Sequence, residues 1–319
     1  MVYASAPGKV ILSGEHSVVY GYPAIAAAID IRCKVSITDG ESGLFIRSKE
    51  LGQQVRYSLD QLLLVGKQAV FPKFDNIALC VKNTFYEHEI SLEVDVTSDI
   101  PIGAGLGSSA AVSVATVAAC NSFLKQPIDL KKISKVAFEA EKITHGRPSG
   151  IDNSIATFGG YIRFENGFIE QKQMTSNLPI LIVDTKIPRN TKKLVEGVAK
   201  LKDLYPEIIN PILSTMGNVA DLIHQNLEIF DLSTLGDLFK INQGLLDAIG
   251  VGHPKLSNLM NIATEFGAVG TKLTGAGGGG CFLVLGKDQI QINEIASELK
   301  NFNVDVFVTK ISSRGVIIE

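Results

Sequence analysis

The chain has no surplus of positive charge, no closely spaced cysteines and no long apolar run, and each absence removes a class of protein. Its net charge is −3, so the composition carries no basic footprint for nucleic acid. The four cysteines, Cys33, Cys80, Cys120 and Cys281, lie far apart with no C-x-x-C pair. They read as reduced core thiols of a cytosolic protein, not as zinc ligands or a disulfide framework. No stretch of about 18 apolar residues occurs, so no membrane span is expected. Lys9 and Glu15 interrupt the first apolar run, which is not the pattern of a signal peptide. Repeats, low-complexity tracts and long linkers are missing as well. What is left is a globular chain of 319 residues, 45% of them hydrophobic. It is long enough for two domains and able to bury a substantial core.

Two more absences sharpen the reading of the most distinctive stretch, PIGAGLGSSAA. Glycines alternate at Gly103, Gly105 and Gly107, and two hydroxyls follow at Ser108 and Ser109. Before the loop, Leu92, Val94 and Val96 fall on one face at period two and predict a strand. After it, residues 108–124 contain no glycine or proline and predict a buried helix. A strand, a glycine loop and a helix start let backbone N–H groups and the helix dipole converge on an anion. Polyphosphate is the ligand this suits; a tight, ligand-free turn is the alternative. No lysine follows Gly107, which excludes a Walker loop. Counted from Gly103, Ser108 occupies the sixth position, where a dinucleotide fingerprint needs Gly or Ala.

Residues 1–40 predict two strands around a polar corner. The stretch APGKVILSGEHSVVYG places Lys9, Glu15 and His16 near Gly8, Gly14 and Gly21. Charges set between apolar strands are either solvated loop residues or working ones. Asp129 caps a predicted helix whose apolar stripe runs through Leu130, Ile133, Val136, Ala137, Ala140 and Ile143. At about 100° per residue, Glu141 lies roughly 80° from the centre of that stripe and Glu139 roughly 120° away on the other side. Glu141 can therefore reach an enclosed site, while Glu139 belongs with the solvated lysines; surface positions for both are the alternative. Asp152 stands at the start of a short helix, as a cap or as a catalytic carboxylate. A second glycine loop, TGAGGGG (274–280), leaves little side chain to pack and implies close approach of a ligand or another loop. Strands and helices without a βαβ pattern predict an α+β fold, divided near residues 176–179.

Read together, APGKVILSGEHSVVYG, PIGAGLGSSAA and KLTGAGGGGC resemble the three signatures of the GHMP kinases. GEHSVVYG, AEKITHGRPSGIDN, TKIPRNTKKLV and GVGHPKL resemble the branch of that family acting on mevalonate. The motifs run in order from residue 4 to residue 281. The resemblance implies a two-domain α+β GHMP kinase fold. Residues 1–176 would be a ribosomal-protein-S5-like nucleotide-binding domain and residues 177–319 a ferredoxin-like C-terminal domain. It implies a cytoplasmic homodimer of isoprenoid biosynthesis. That enzyme would use Mg²⁺, with ATP as co-substrate, to phosphorylate the primary hydroxyl of mevalonate to 5-phosphomevalonate. Neither nucleic acid nor membrane would be a partner.

Residue by residue, the resemblance implies that Pro101, Ile102, Gly103, Ala104, Gly105, Leu106, Gly107, Ser108, Ser109, Ala110 and Ala111 cradle the triphosphate. Ser109 and Glu141 would hold Mg²⁺. Asp152 would accept the proton of the substrate hydroxyl, and Lys9 would stand beside it, favouring its charged form. Glu15, His16, Arg189 and Thr191 would line the substrate site. The rivals are a family member acting on phosphomevalonate or on the 3-hydroxyl, and a nucleotide sensor without catalysis. The sensor would be expected to lack Lys9, Glu141 or Asp152, and all three are present.

Overall fold

A computed structural model of the chain describes residues 1–86, 88–145, 148–174 and 178–319. They form two compact units. The first takes residues 1–9, 28–160 and 314–319, and the second residues 10–27 and 161–313. The units interleave in sequence, because strands Val2–Ser13 and Ala24–Asp39 contribute residues to both. The boundary expected at Ser176 lies outside the described residues, and the hairpin of residues 161–172 groups with the second unit.

In the first unit the strands follow their period-two pattern. From residue 30 on, the side chains of Ile31, Cys33, Val35 and Ile37 are buried, while Asp30 and Lys34 are exposed and Arg32 and Ser36 half-buried. The strand order is Ile317–Ile318, Val2–Ser13, Ala24–Asp39, Ser91–Ser98, Gly43–Ser48, Gln53–Tyr57. Gly43–Ser48 runs parallel to Ser91–Ser98, pairing Ile46 with Val94. Ala24–Asp39 is antiparallel to Ser91–Ser98, pairing Val35 with Val96 and Ile37 with Val94.

Helix Ser108–Phe123 is the hub of the helical layer. It packs on helices Asp75–Thr84, Leu130–His145 and Ile151–Phe158. Its run of small residues makes this possible: Ala110, Ala111, Ala115, Ala118 and Ala119 are all buried, and short side chains let several helix axes approach closely. The C-terminal tail is pinned to the same unit. Arg32 Nη2 donates to Gly315 O (2.6 Å) and Ser5 O (2.9 Å).

The second unit holds a four-stranded antiparallel sheet in the order Asp305–Lys310, Pro179–Asp184, Cys281–Leu285, Gly270–Leu273. Numbered along the chain this is 4-1-3-2, with helices between the first and second strands and between the third and fourth. That is the β-α-β-β-α-β plan of ferredoxin-like domains. Leu181, Val183, Phe282 and Val284 from the sheet join Leu213, Met216, Leu246, Leu256, Ile295 and Leu299 from the helices in one core. Hairpin strands Tyr161–Glu165 and Phe168–Lys172 pair with each other, and the first of them pairs with residues 24–27. Among the described residues no helix is long and apolar enough to cross a membrane.

Candidate active site

The glycine loop is shaped by three left-handed residues, Gly103, Gly105 and Gly107, at φ 76–77°. Leu106 and Ala104 point into the core and anchor the loop, whereas Ile102, Gly103 and Gly105 are exposed. Gly107 is the N-cap of helix Ser108–Phe123 and supplies no side-chain cap. The first N–H groups of that helix are thus available to an anion. Ala110 and Ala111 are buried, so their contribution to a ligand is backbone only.

Lys9 ties this loop to the acidic groups. Its backbone N–H donates to Leu106 O at 2.8 Å. A Cβ on Gly107 would stand 2.8 Å from Lys9 Cγ, so glycine here makes room for the lysine stem. The ammonium lies 3.2 Å from Asp152 Oδ1. Asp152 occupies the first turn of helix Ile151–Phe158, whose N-cap Gly150 is left-handed. Its side chain is about one-third exposed (32%), against 13% for Lys9. A carboxylate at a helix start with an accessible oxygen is open to a substrate as a buried cap would not be.

Glu141 completes the cluster. It is buried, while Glu139 is part-exposed and bonded to Lys142 at 2.7 Å, as the helix phase requires. Burial, reinforced by the charge of Asp152, pushes the Glu141 carboxyl up to about 7; nearby Ser109 and Lys9 oppose the rise. Ser109 Oγ and Glu141 Oε1 are nevertheless buried without a well-formed hydrogen bond to any described residue. Two orphaned oxygens beside a second carboxylate suit a hard cation that takes oxygen ligands. Among the described residues no group of three His, Cys, Asp or Glu side chains could hold a metal by itself. The donor set therefore fits an ion that keeps waters and shares its shell with phosphate oxygens, as Mg²⁺ does.

Beside the loop the first unit contains a cavity of about 490 Å³ lined by Ile102, Gly103, Ser108, Ser109 and Val112 on the loop side, and by Cys33, Ser48, Asn76, Ile77, Val96 and Ser98 opposite. Sequence reasoning missed this cavity. Its walls come from five separate segments, and the four besides the glycine loop carry no motif of their own.

In the second unit Glu15 and His16 occupy one corner. Glu15 is buried and ion-paired with the fully buried Lys272, and Asn242 Nδ2 lies 3.4 Å from its other oxygen. Burial lowers the Lys272 pKa, and Glu15 opposes that. His16 is left-handed at φ 61°; its Nε2 donates to Ala276 O at 2.9 Å, and Nδ1 is buried without a described partner. Arg189 is part-buried and lies against the second glycine loop, its Nη1 3.4 Å from Thr274 O. Thr191 is exposed at the first position of helix Thr191–Leu204. The second glycine loop makes its close approach to the chain itself. A Cβ on Gly277 would meet Val251 O at 2.2 Å, and one on Gly279 would meet Ile187 O at 2.7 Å.

Comparison with known proteins identifies the family. Residues 75–160 match the family model of the GHMP kinases N terminal domain, and residues 223–305 that of the GHMP kinases C terminal domain. The chain belongs to the GHMP kinase family. It is 40% identical to the mevalonate kinase of Thermococcus sibiricus, covering 100% of this chain and 98% of that one. It is 34% identical to the mevalonate kinase of Mus musculus, covering 98% and 93%. Among solved structures, the Methanococcus jannaschii mevalonate kinase superposes with a TM-score of 0.85 at 29% identity, covering 97% of this chain and 98% of that one. The L. major mevalonate kinase, solved in complex with R-mevalonate, gives 0.83 at 26% identity, covering 98% and 96%.

Proposed function

We propose that this chain transfers the terminal phosphoryl group of ATP to the primary hydroxyl of mevalonate, giving 5-phosphomevalonate and ADP. The observation that carries the reading is the Lys9–Asp152 pair, set against a glycine loop that the same lysine's backbone holds. Phosphoryl transfer is chiefly positioning and charge neutralisation, and each group has a part in it. Loop amides and the start of helix Ser108–Phe123 bind the phosphates. Asp152 accepts the hydroxyl proton as the new P–O bond forms. Lys9 neutralises charge developing on the reacting oxygen. Glu141 and Ser109 would hold Mg²⁺, which supplies charge neutralisation to the phosphate oxygens when bound.

The cavity beside the loop is of a size suited to a small ligand, and its mostly apolar walls suit the nucleoside of ATP. His16, Arg189 and Thr191 are assigned to the acid substrate through the family motifs they occupy. The Glu15 carboxylate is already engaged by Lys272, so its part is to hold the corner that carries His16.

A coupled ADP-release assay with mevalonate, phosphomevalonate, homoserine and galactose tests the proposal. Turnover with mevalonate alone is expected. Preference for phosphomevalonate would move the chain to a different member of the family, and ADP release with none of the four would refute the reading.

A further inference from the structure

The second unit contains a buried charge at the first position of the motif KLTGAGGGGC, to which no role has been given above. Lys272 lies in strand Gly270–Leu273 and is fully buried. An ammonium has three N–H donors, and here each has an acceptor. One meets Glu15 Oε1, one meets Leu273 O at 2.5 Å and one points to Ile11 O at 3.4 Å. The clamp thus joins residues 11–15 to the start of the second glycine loop, and Asn242 extends it to helix Leu232–Ala248. Further bonds tie the same stretches together. Ile11 N donates to Thr274 Oγ1 at 2.9 Å, and His16 Nε2 donates to Ala276 O at 2.9 Å.

Stability alone does not account for this arrangement. A buried ion pair can be replaced by uncharged groups of similar volume with little loss, whereas removing one partner costs several kcal/mol. What a fully bonded pair supplies is a fixed geometry. The residue next to Glu15 needs one: His16 sits at a positive φ, a conformation that persists only where the surroundings over-determine it.

We propose that Lys272 is a positioning residue for the acid substrate. Through Glu15 it holds the Gly14–His16 corner on the second glycine loop and so sets the place of the His16 ring. The proposal rests on the reading of His16 as a substrate contact given above.

The test compares Lys272→Met, the double variant Lys272→Met/Glu15→Gln, and His16→Gln as reference, reading Tm and separate KM values for mevalonate and ATP. Lys272→Met should lower Tm, and the double variant should recover it. The double variant should still raise KM for mevalonate about tenfold, because small misplacements at a binding site are costly, while KM for ATP stays within about twofold. A double variant with restored Tm and wild-type KM for mevalonate would make the clamp purely structural and overturn the proposal. If His16→Gln leaves KM for mevalonate unchanged, the underlying assignment of His16 fails, and the proposal with it. Should both Lys272 variants fail to fold, Asn242→Ala loosens Glu15 without removing either charge. A severalfold rise in KM for mevalonate then supports the proposal, and an unchanged value refutes it.

Discussion

Lys9 Nζ stands 3.2 Å from Asp152 Oδ1, and both residues belong to the same compact unit as the glycine loop. In the proposed reaction the pair joins a base to the cation that neutralises charge on the reacting oxygen. Asp152→Asn keeps the shape and removes the base, so kcat should fall by about a thousandfold with nucleotide affinity little changed. Steady-state kinetics paired with titration of a non-hydrolysable ATP analogue reads both quantities; near wild-type turnover would remove Asp152 from this role.

Gly107 and Gly103 separate backbone strain from crowding. Both sit near φ 76–77°, where a side chain costs about 1–2 kcal/mol. A Cβ at 103 meets nothing within 4 Å, whereas one at 107 meets Lys9 Cγ at 2.8 Å. Gly103→Ala should lower Tm with a modest effect on kcat. Gly107→Ala should lower Tm and also displace Lys9, cutting kcat by at least tenfold more. Equal kcat values for the two variants would show that the stem contact is unimportant.

Glu141 gives a pH dependence with a defined sign. Its carboxyl titrates near 7 in the folded protein, against an ordinary value of 4.5, so between those values the folded state binds more protons than the unfolded one. Stability of the metal-free protein should therefore fall as pH rises from about 4.5 to about 7, by about 3 kcal/mol, and level off above that. Glu141→Gln should flatten this part of the profile and be the more stable form at pH 8. Thermal melts in a chelator across this range measure it; identical profiles would show that Glu141 titrates normally.

The same carboxylate links pH to metal. Adding Mg²⁺ at pH 8 should raise the Tm of the wild type more than that of Glu141→Gln, and the variant should need a higher Mg²⁺ concentration for half-maximal activity. An unchanged metal requirement would point to other ligands.

The cavity beside the loop makes a prediction about specificity between co-substrates. Val112 lines it from the second turn of helix Ser108–Phe123. Val112→Phe should raise KM for ATP about tenfold, equivalent to about 1.4 kcal/mol, and leave KM for mevalonate unchanged. A rise in the mevalonate value alone would assign the cavity to the acid.

Much of this protein is written locally. Alternation at period two specifies the strand of residues 91–98 and the second half of the strand of residues 24–39. The helix phase separates Glu141 from Glu139, because rotation per residue is a property of the backbone and needs no tertiary information. Alternating glycines followed by a helix define the anion loop for the same reason: positive φ and an uncapped helix start are local facts. Tertiary structure alone decided the rest. It brought Glu15 against Lys272, 257 positions away in the chain. It set the glycine loop against four segments that carry no motif to form the cavity, and it divided the chain into interleaved units by returning the last six residues to the first. These outcomes depend on which apolar faces find each other and on which buried charge must find a partner. Such pairings minimise the cost of burial over the whole fold, and no window of sequence contains both halves of them.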